Sequence, residues 1–398
     1  MKVLLLNQFF PPDLAPTGQM ASELAEDLVA AGASVTALAS RGTYLGGGAL
    51  PRRERYRGID VVRVTATSLG KRTLLHRAVD YASFYVTASA ALLRLPRHDV
   101  VVTLTTPPLI AATGLLARTF KRSRLVCWIQ DLYPEVAIAF GALRPRSLAA
   151  RTMAAISRAV LHRADGVVAL GEAMRARCVA AGARPERVAV IPNWSDAAAV
   201  RPVPHAENPL RGELAGAARI VVMYSGNMGH AHDMATLLEA AQLLGDRADI
   251  RFVFAGDGAR RGDVEAAAAR IPNVRLAPYQ ARERLSESLS AGDLHLVSLS
   301  PEVEGLLEPS KLYGAMAAGR PALYVGPPGS EVARTIAAER CGAIIRNGDP
   351  AGLARVIREL AGDEQARAEM GVRARAALVE RYSRAVATGR FLRLLHAL

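Results

Sequence analysis

The chain alternates short apolar runs with amphipathic stretches, and the alternation starts twice. In the first half the runs are VLLLN (3–7), SVTALA (34–39), IDVVRV (59–64), DVVVTL (99–104) and RLVCWI (124–129). Helical patterns lie between them, one at about 18–31 and a long one at about 72–95. After PNWSDAAAVRPVPHAENP (192–209), rich in proline and without periodicity, come RIVVMYSG, IRFVFAGDG, VRLAPY and DLHLVSLS, again separated by helical patterns. Continuous apolar strands alternating with helices are the pattern of a parallel, doubly wound sheet, buried on both faces. Two such sheets in tandem predict an α/β protein of two Rossmann-like domains facing across a cleft, split near residue 200. Ligands of such sheets bind at the carboxyl ends of the strands.

Composition agrees with two cores of ordinary size. The 398 residues exceed what one core sustains, and 51% of them are hydrophobic. Aromatic residues are only 5%, too few for stacked recognition of bases or of long sugar chains. Cys127, Cys178 and Cys341 are odd in number and far apart, so buried thiols are expected before catalysis or metal binding. The opening MKVLLLNQFFPPD is broken by Asn7 and Gln8 and then by prolines, and it reads as a first strand instead of a signal peptide. No stretch reaches the roughly 18 apolar residues of a transmembrane helix.

The net charge of +13 is uneven: residues 1–200 hold 25 Lys and Arg against 14 Asp and Glu, leaving 25 against 23 for residues 201–398. Arg41, Arg52, Arg53, Arg55, Arg57, Arg63, Lys71, Arg72 and Arg77 face only Glu54 and Asp60 in their segment. Either this is a solvated arginine-rich surface, or it is a patch facing an anionic one, lipid or nucleic acid. Nucleic acid is the poorer partner, because no aromatics are interleaved and no known motif is present. The helix that follows (73–95) offers Leu74, Leu75, Val79, Tyr81, Ala82, Phe84, Tyr85 and Val86, for a membrane surface or for its own domain's core.

What stands at the strand ends narrows the ligand. After the first strand QFFPPDLAPTG lacks the G-x-G-x-x-G of a dinucleotide site. YSGNMGH (224–230) and FAGDG (254–258) are strand–glycine turn–helix units, either plain tight turns or turns whose backbone N–H groups approach a phosphate. In EPSKLYGAMAAGRP (308–321), Lys311 opens a helix whose N-terminus is already positive, which suits a bound anion. Together the three predict one diphosphate-sized ligand. The sequence has no D-x-D, no H-E-x-x-H and no paired Cys/His spacing, and His230, His232 and Asp233 suit a βα loop better than a metal.

These residues carry a family resemblance over nearly the whole chain. In order, FFPPDLAPTGQMASELAEDL, VVALGEAMRARCVAAGARPERVAVIPNWSD, VVMYSGNMG, FVFAGDG and PSKLYGAMAAGRPALYV resemble the family 4 retaining glycosyltransferases of GT-B architecture. More narrowly, YSGNMGHAHD and PSKLYG are similar to the fucosamine-transferase-like branch of O-antigen and capsule synthesis. The resemblance implies an acceptor domain at 1–198, a donor domain at 210–380, and a last helix at about 382–398 that packs back on the first. It implies a nucleotide-sugar donor, UDP-linked, a polyprenyl-diphosphate-linked sugar as acceptor, and a cytoplasmic enzyme peripheral on the inner face of the plasma membrane. No cofactor or metal is implied. Catalytic roles fall to Lys311, Asp131 and Glu304. Donor contacts fall to Gly18, Gly226, Asn227, Gly256, Tyr279, Glu308, Ser310, Lys311 and Leu312.

The departures from the family pattern are informative. Five residues before the glycine of A-x-G-x-P the family carries a ribose-binding glutamate; here Gly314 stands there. Glu304 and Glu308 are rivals for the first glutamate of the pair. The Arg and Lys of the family's first donor-domain loop are missing from SGNMGHAHD, which offers Asn227 and His230, so Lys311 is expected as the main cation on the diphosphate. Where many relatives have a histidine, Gln130 and Asp131 stand, and Asp131 either orients an acceptor hydroxyl or caps its loop. Gly18 is either a helix-start glycine or the donor's point of approach. A non-hydrolysing UDP-sugar epimerase on the same architecture is the alternative, and it would act on donor without any acceptor.

Overall fold

The computed structural model describes residues 1–13, 15–43, 48–70 and 74–398, and omits the side chains of Leu74, Leu75 and Arg77. Two compact units result, Met1–Ile191 with Thr388–Leu398, and Pro192–Ala387. Residues 192–198, expected with the first unit, cluster with the second. Arg375 explains this, because its guanidinium donates to the carbonyls of Ala197 and Val200 at 2.7 and 2.8 Å.

In the first unit the strands are β1 (Lys2–Leu6), β2 (Ser34–Ser40), β3 (Arg53–Tyr56), β4 (Ile59–Val64), β5 (Val100–Thr103), β6 (Arg124–Trp128), β7 (Gly166–Ala169) and β8 (Val188–Val190). They form one sheet in the order β3-β4-β2-β1-β5-β6-β7-β8, parallel except for β3. β1, β5, β6 and β7 are buried almost throughout, as a parallel sheet covered on both faces requires. β3 is an addition to the sequence reading. The arginine-rich stretch forms an antiparallel edge strand through a two-residue turn, Arg57 and Gly58, with φ of 47° and 83°. Positive φ at both positions is the mirror-image hairpin geometry that matches strand twist.

This hairpin corrects the expected basic patch. Arg63 is buried on β4, bonded to the Pro11 carbonyl at 2.5 Å and paired with Glu54 at 2.6 Å. Arg41 donates to the Leu50 carbonyl at 2.8 Å. Arg52, Arg53, Arg55 and Arg57 are exposed, the last paired with Glu26 at 3.1 Å. Lys71 and Arg72 lie outside the described residues. On the helix Leu74–Arg94, Phe84, Ala88 and Leu92 are buried against Leu4, Leu6, Leu38 and Val101. The face expected to be broadly apolar is thus split, with Phe84 in the core and Val79, Val86 and Leu93 exposed.

The second unit holds β9 (Ile220–Ser225), β10 (Ile250–Ala255), β11 (Val274–Ala277), β12 (Leu294–Ser298), β13 (Ala322–Val325) and β14 (Gly342–Ile345). All pair in parallel in the order β11-β10-β9-β12-β13-β14. Chain order runs outward from β9 on one side and from β12 on the other. β9 and β12 therefore form the switch point, where loops diverge and leave a crevice at the carboxyl ends. Phe252, Phe254, Leu294 and Leu323 centre its core.

The three cysteines are buried, and burial pushes the Cys127 thiol up to about 12, so no thiolate is at hand for chemistry. Among the described residues no helix is long and apolar enough to cross a membrane. The last helix, Arg384–His396, packs in the first unit through Phe391, fully buried, whose ring lies 4.7 Å from that of Trp128 at an interplanar angle of 61°. Phe391→Ala removes a large buried ring and leaves a cavity, so it should cost about 3–5 kcal/mol in denaturant unfolding. A loss below about 1 kcal/mol would mean that this helix is not part of the first unit's core.

Candidate functional site

The second unit gathers its site at the switch point. Lys311 is the first residue of the helix Lys311–Ala317, and its side chain lies against the turn that ends β9. Gly226 stands there with φ of 127°, and a Cβ on it would sit 3.1 Å from the Lys311 Cε. Only glycine combines that backbone angle with that approach. The lysine Nζ lies 5.0 Å above the centre of the Tyr224 ring and 2.9 Å from the His232 Nε2.

The proton positions of this group follow from its acceptors. His232 is buried, and its Nδ1 lies 2.6 Å from the Ser298 carbonyl at the end of β12. A carbonyl only accepts, so Nδ1 carries the hydrogen and donates it. Nε2 then keeps a lone pair and accepts from the Lys311 ammonium. Burial first, and then the lysine charge, lower His232 to about 3, so the ring is neutral. Burial alone lowers the Lys311 ammonium to about 7. The residue keeps part of its surface open, so solvent moderates that depression.

The sequence reading placed His232, with His230 and Asp233, in a βα loop and gave it no role at the site. Its loop was noted for Asn227 and His230, but His230 is exposed and the histidine two positions on meets Lys311. The absence of Arg and Lys from SGNMGHAHD was the available signal, since it leaves the two histidines as that loop's basic side chains. Asp233 caps the helix Met234–Gln242 through the Thr236 N–H at 3.1 Å and accepts from Asn347 at 2.9 Å. These ties hold the His232 backbone in place.

The glycine turns are tighter than expected and serve differently. The Gly226 N–H donates to Ala255 at 2.8 Å, and the Gly256 N–H donates to Ala277 at 3.1 Å. Those amides continue the strand ladders and are not available to a phosphate. A Cβ on Gly256 would lie 2.1 Å from the Gly226 carbonyl oxygen, so the glycine is there for loop-to-loop contact. Asn227 is exposed beside Gly226, and its carbonyl accepts from the Tyr224 hydroxyl at 2.8 Å.

The remaining expected residues divide. Ser310 is exposed at the helix start and caps nothing with its side chain, and Leu312 is fully buried. The helix has 7 residues, which makes its dipole a minor contributor beside the lysine charge. Tyr279 lies past β11 and is 54% exposed. Glu304 is half-buried, with its carboxylate next to Gly329. Gly18, in the helix Pro16–Ala30 of the first unit, lies so near the loop before it that a Cβ would be 3.0 Å from the Phe9 carbonyl oxygen. That contact accounts for the glycine. Asp131 follows β6 in the first unit, beside an apolar hollow lined by Leu104, Leu109, Ile129 and Val160; burial raises its carboxyl to about 6. No group of three or more potential metal ligands occurs among the described residues.

Glu308 has a distinct environment. It is 8% exposed; Oε1 accepts from the Glu331 N–H at 3.3 Å, and Oε2 has no partner. Burial raises the carboxyl to about 8, with nearby Glu331 and Glu304 adding to the rise. The folded state then holds a proton that the unfolded chain releases near 4.5, so stability should fall as pH rises from about 4.5 to about 8. Melting midpoints measured across that window for wild type and Glu308→Gln should diverge, the wild type losing more at the alkaline end. Parallel curves would show that Glu308 is ionised in the fold.

Comparison with known proteins now fits this geometry. The profile described as "Glycosyl transferase 4-like domain" matches residues 17–194, and "Glycosyl transferases group 1" matches residues 219–363. The probable glycosyltransferase WbjE of Pseudomonas aeruginosa is 31% identical over 75% of this chain and 74% of its own length. WcaI of Escherichia coli K12, named as a colanic acid biosynthesis glycosyl transferase, is 27% identical over 80% of this chain and 82% of its own. The solved structure of Anabaena HepE with UDP-glucose aligns over 100% of both chains with a TM-score of 0.75 at 18% identity. With both halves matched in order and the two-sheet architecture shared, the chain belongs to the family 4 glycosyltransferases and has their GT-B fold.

Proposed function

We propose that this enzyme moves a sugar from a UDP-linked donor to a lipid-linked saccharide in surface polysaccharide synthesis, with retention of anomeric configuration. The observation that carries the reading is Lys311, a cation at the β9/β12 switch point whose close partners, His232 and Tyr224, are both neutral. Such a site is completed by an anion of diphosphate size. HepE was solved with UDP and with UDP-glucose on the same fold, and WcaI is named for a polysaccharide pathway, which supports this choice of donor and product.

As the bond from the anomeric carbon to the diphosphate oxygen breaks, negative charge grows on the leaving group. The Lys311 ammonium is already in place to meet it, so little reorganisation is needed. The acceptor oxygen attacks from the face the diphosphate leaves, and its proton passes to the departing phosphate. No pair of hydrolase-type carboxylates is then needed. Asp131 orients the acceptor hydroxyl. Glu308 or Glu304 takes the part of the first glutamate of the family's pair on the donor, while Gly314 leaves the ribose glutamate without a counterpart; Glu308 has an unpartnered oxygen for a donor contact. The cation role rests on lysine and needs no metal. Transfer from UDP-sugars to a polyprenyl-diphosphate-linked sugar, read by NMR of the product anomer, should persist in EDTA. Lys311→Ala should lower turnover by about 10²–10³-fold with the fold intact by circular dichroism. Wild-type turnover in that variant, inversion, or rescue of chelated enzyme by Mg²⁺ would each defeat the corresponding part.

The first unit docks on an anionic membrane in this reading. Arg52, Arg53 and Arg55 are exposed at the sheet edge, and Val79, Val86 and Leu93 are 40%, 69% and 44% exposed at seven-residue spacing along one helix face. Each engaged arginine contributes about 1 kcal/mol near anionic lipid, and apolar insertion adds to it. Co-sedimentation should be strong with anionic vesicles, weak with neutral ones, and weaker in high salt or after Arg52, Arg53 and Arg55 are changed to Ser. Equal pelleting in all conditions, or none, would leave a soluble acceptor as the better assignment.

A further inference from the structure

We propose that His232 is the positioning residue of Lys311: it holds the ammonium above the Gly226 turn and takes up one of its three N–H donors, leaving two for an anion. This deepens the reading of Lys311 as the diphosphate's cation and rests on it. The chain of contacts runs from β12 to the lysine. The Ser298 carbonyl fixes the Nδ1–H tautomer at 2.6 Å, and Nε2 therefore faces Lys311 as an acceptor at 2.9 Å. The Tyr224 ring supports both groups, edge-on to His232 with ring centres 5.9 Å apart and 5.0 Å below the lysine Nζ. Lysine has four rotatable side-chain bonds and gains nothing from charge alone unless something selects one rotamer. A neutral imidazole does this without cancelling the charge, which a carboxylate in its place would do.

The groups around Lys311 are few. From β9 comes Tyr224; from the following loop come Gly226 and His232; behind His232, at the end of β12, stands Ser298, whose carbonyl takes the Nδ1–H and whose buried hydroxyl oxygen has no partner. On its own helix the next residues are Leu312 and Tyr313, and Tyr313 feels Glu308, Glu331 and Tyr382. Among the described residues no charged group shifts Lys311, whose depression comes from burial alone. A bound diphosphate reverses this balance and favours the protonated lysine. Binding above about pH 7 then takes up a proton, and affinity falls as pH rises, by at most tenfold per pH unit. Removing the His232 acceptor disfavours the ammonium further, so the fall begins at lower pH.

The test is calorimetric titration of the full chain with UDP between pH 6.5 and 9, in buffers of differing ionisation enthalpy to count protons. UDP itself is fully ionised over most of that range. His232→Leu should bind UDP at least tenfold more weakly at pH 7.5, with the onset of the fall moved to lower pH. His232→Gln, whose side-chain oxygen reaches the same place, should recover most of both. Wild-type affinity and profile in His232→Leu, or weaker binding with an unmoved onset, would overturn the positioning role and leave packing. Failure of the wild type to bind UDP at any pH would instead strike the donor reading. In that event nitrogen NMR of the histidine rings in the unliganded protein still decides the proposal. The His232 Nε2 signal should step as Lys311 loses its proton between pH 6 and 9, and the step should vanish in Lys311→Met. A flat signal in both proteins, or an imidazolium titration, would overturn it.

Discussion

A partly buried ammonium with only neutral partners is costly, and the second unit is arranged around keeping one. Transfer of an unpaired charge out of water is opposed by many kcal/mol in principle, and proteins meet the cost with hydrogen bonds or by losing the proton. Here one hydrogen bond to imidazole and one aromatic face do the work. A desolvated cation over a ring contributes about 2 kcal/mol, which narrows the deficit without closing it. The supports are drawn from both sides of the switch point, Tyr224 from β9 and the Ser298 carbonyl from β12. Strand order, not local sequence, thus brings together the partners of the charge.

The same reasoning explains what was legible in the sequence. Parallel strands buried on both faces must be written in unbroken apolar residues, so β1, β5, β6, β9, β10 and β12 stood out. β3 did not, because RERY is an edge strand whose buried partner is Arg63, and a buried arginine looks in sequence like a surface one. Its real signal was the Arg57–Gly58 turn. Lys311 was legible as an oddity, a cation where the backbone is already positive. His232 was not, because its meaning depends on a residue 79 positions away. The use of the glycine amides was also hidden. A strand–glycine–helix pattern is the same whether the amide continues a ladder or faces a ligand, and here the ladders claim Gly226 and Gly256.

The carboxylates show a second limit. Glu304 and Glu308 were indistinguishable by spacing, and packing separates them. Glu304 keeps contact with water, whereas Glu308 is enclosed with Glu331 and Tyr324 nearby. Burial pushes Glu308 toward the neutral acid. Sequence records that an acid is present, but the dielectric around it is a property of the fold.

The loop-to-loop contacts at the glycines carry an evolutionary consequence. A side chain on Gly256 displaces the Gly226 carbonyl, one on Gly226 displaces the lysine stem, and one on Gly258 meets Asn227 and Met228. The two turns and the lysine therefore have a single permitted spacing, and drift at one is visible to the others. Diversification of this domain toward new donors is channelled away from the turns, onto exposed positions such as Tyr279 that have room to vary. The part that holds the charge and the part that can explore are physically separate, and a lineage can change what it transfers while keeping how the leaving group is met.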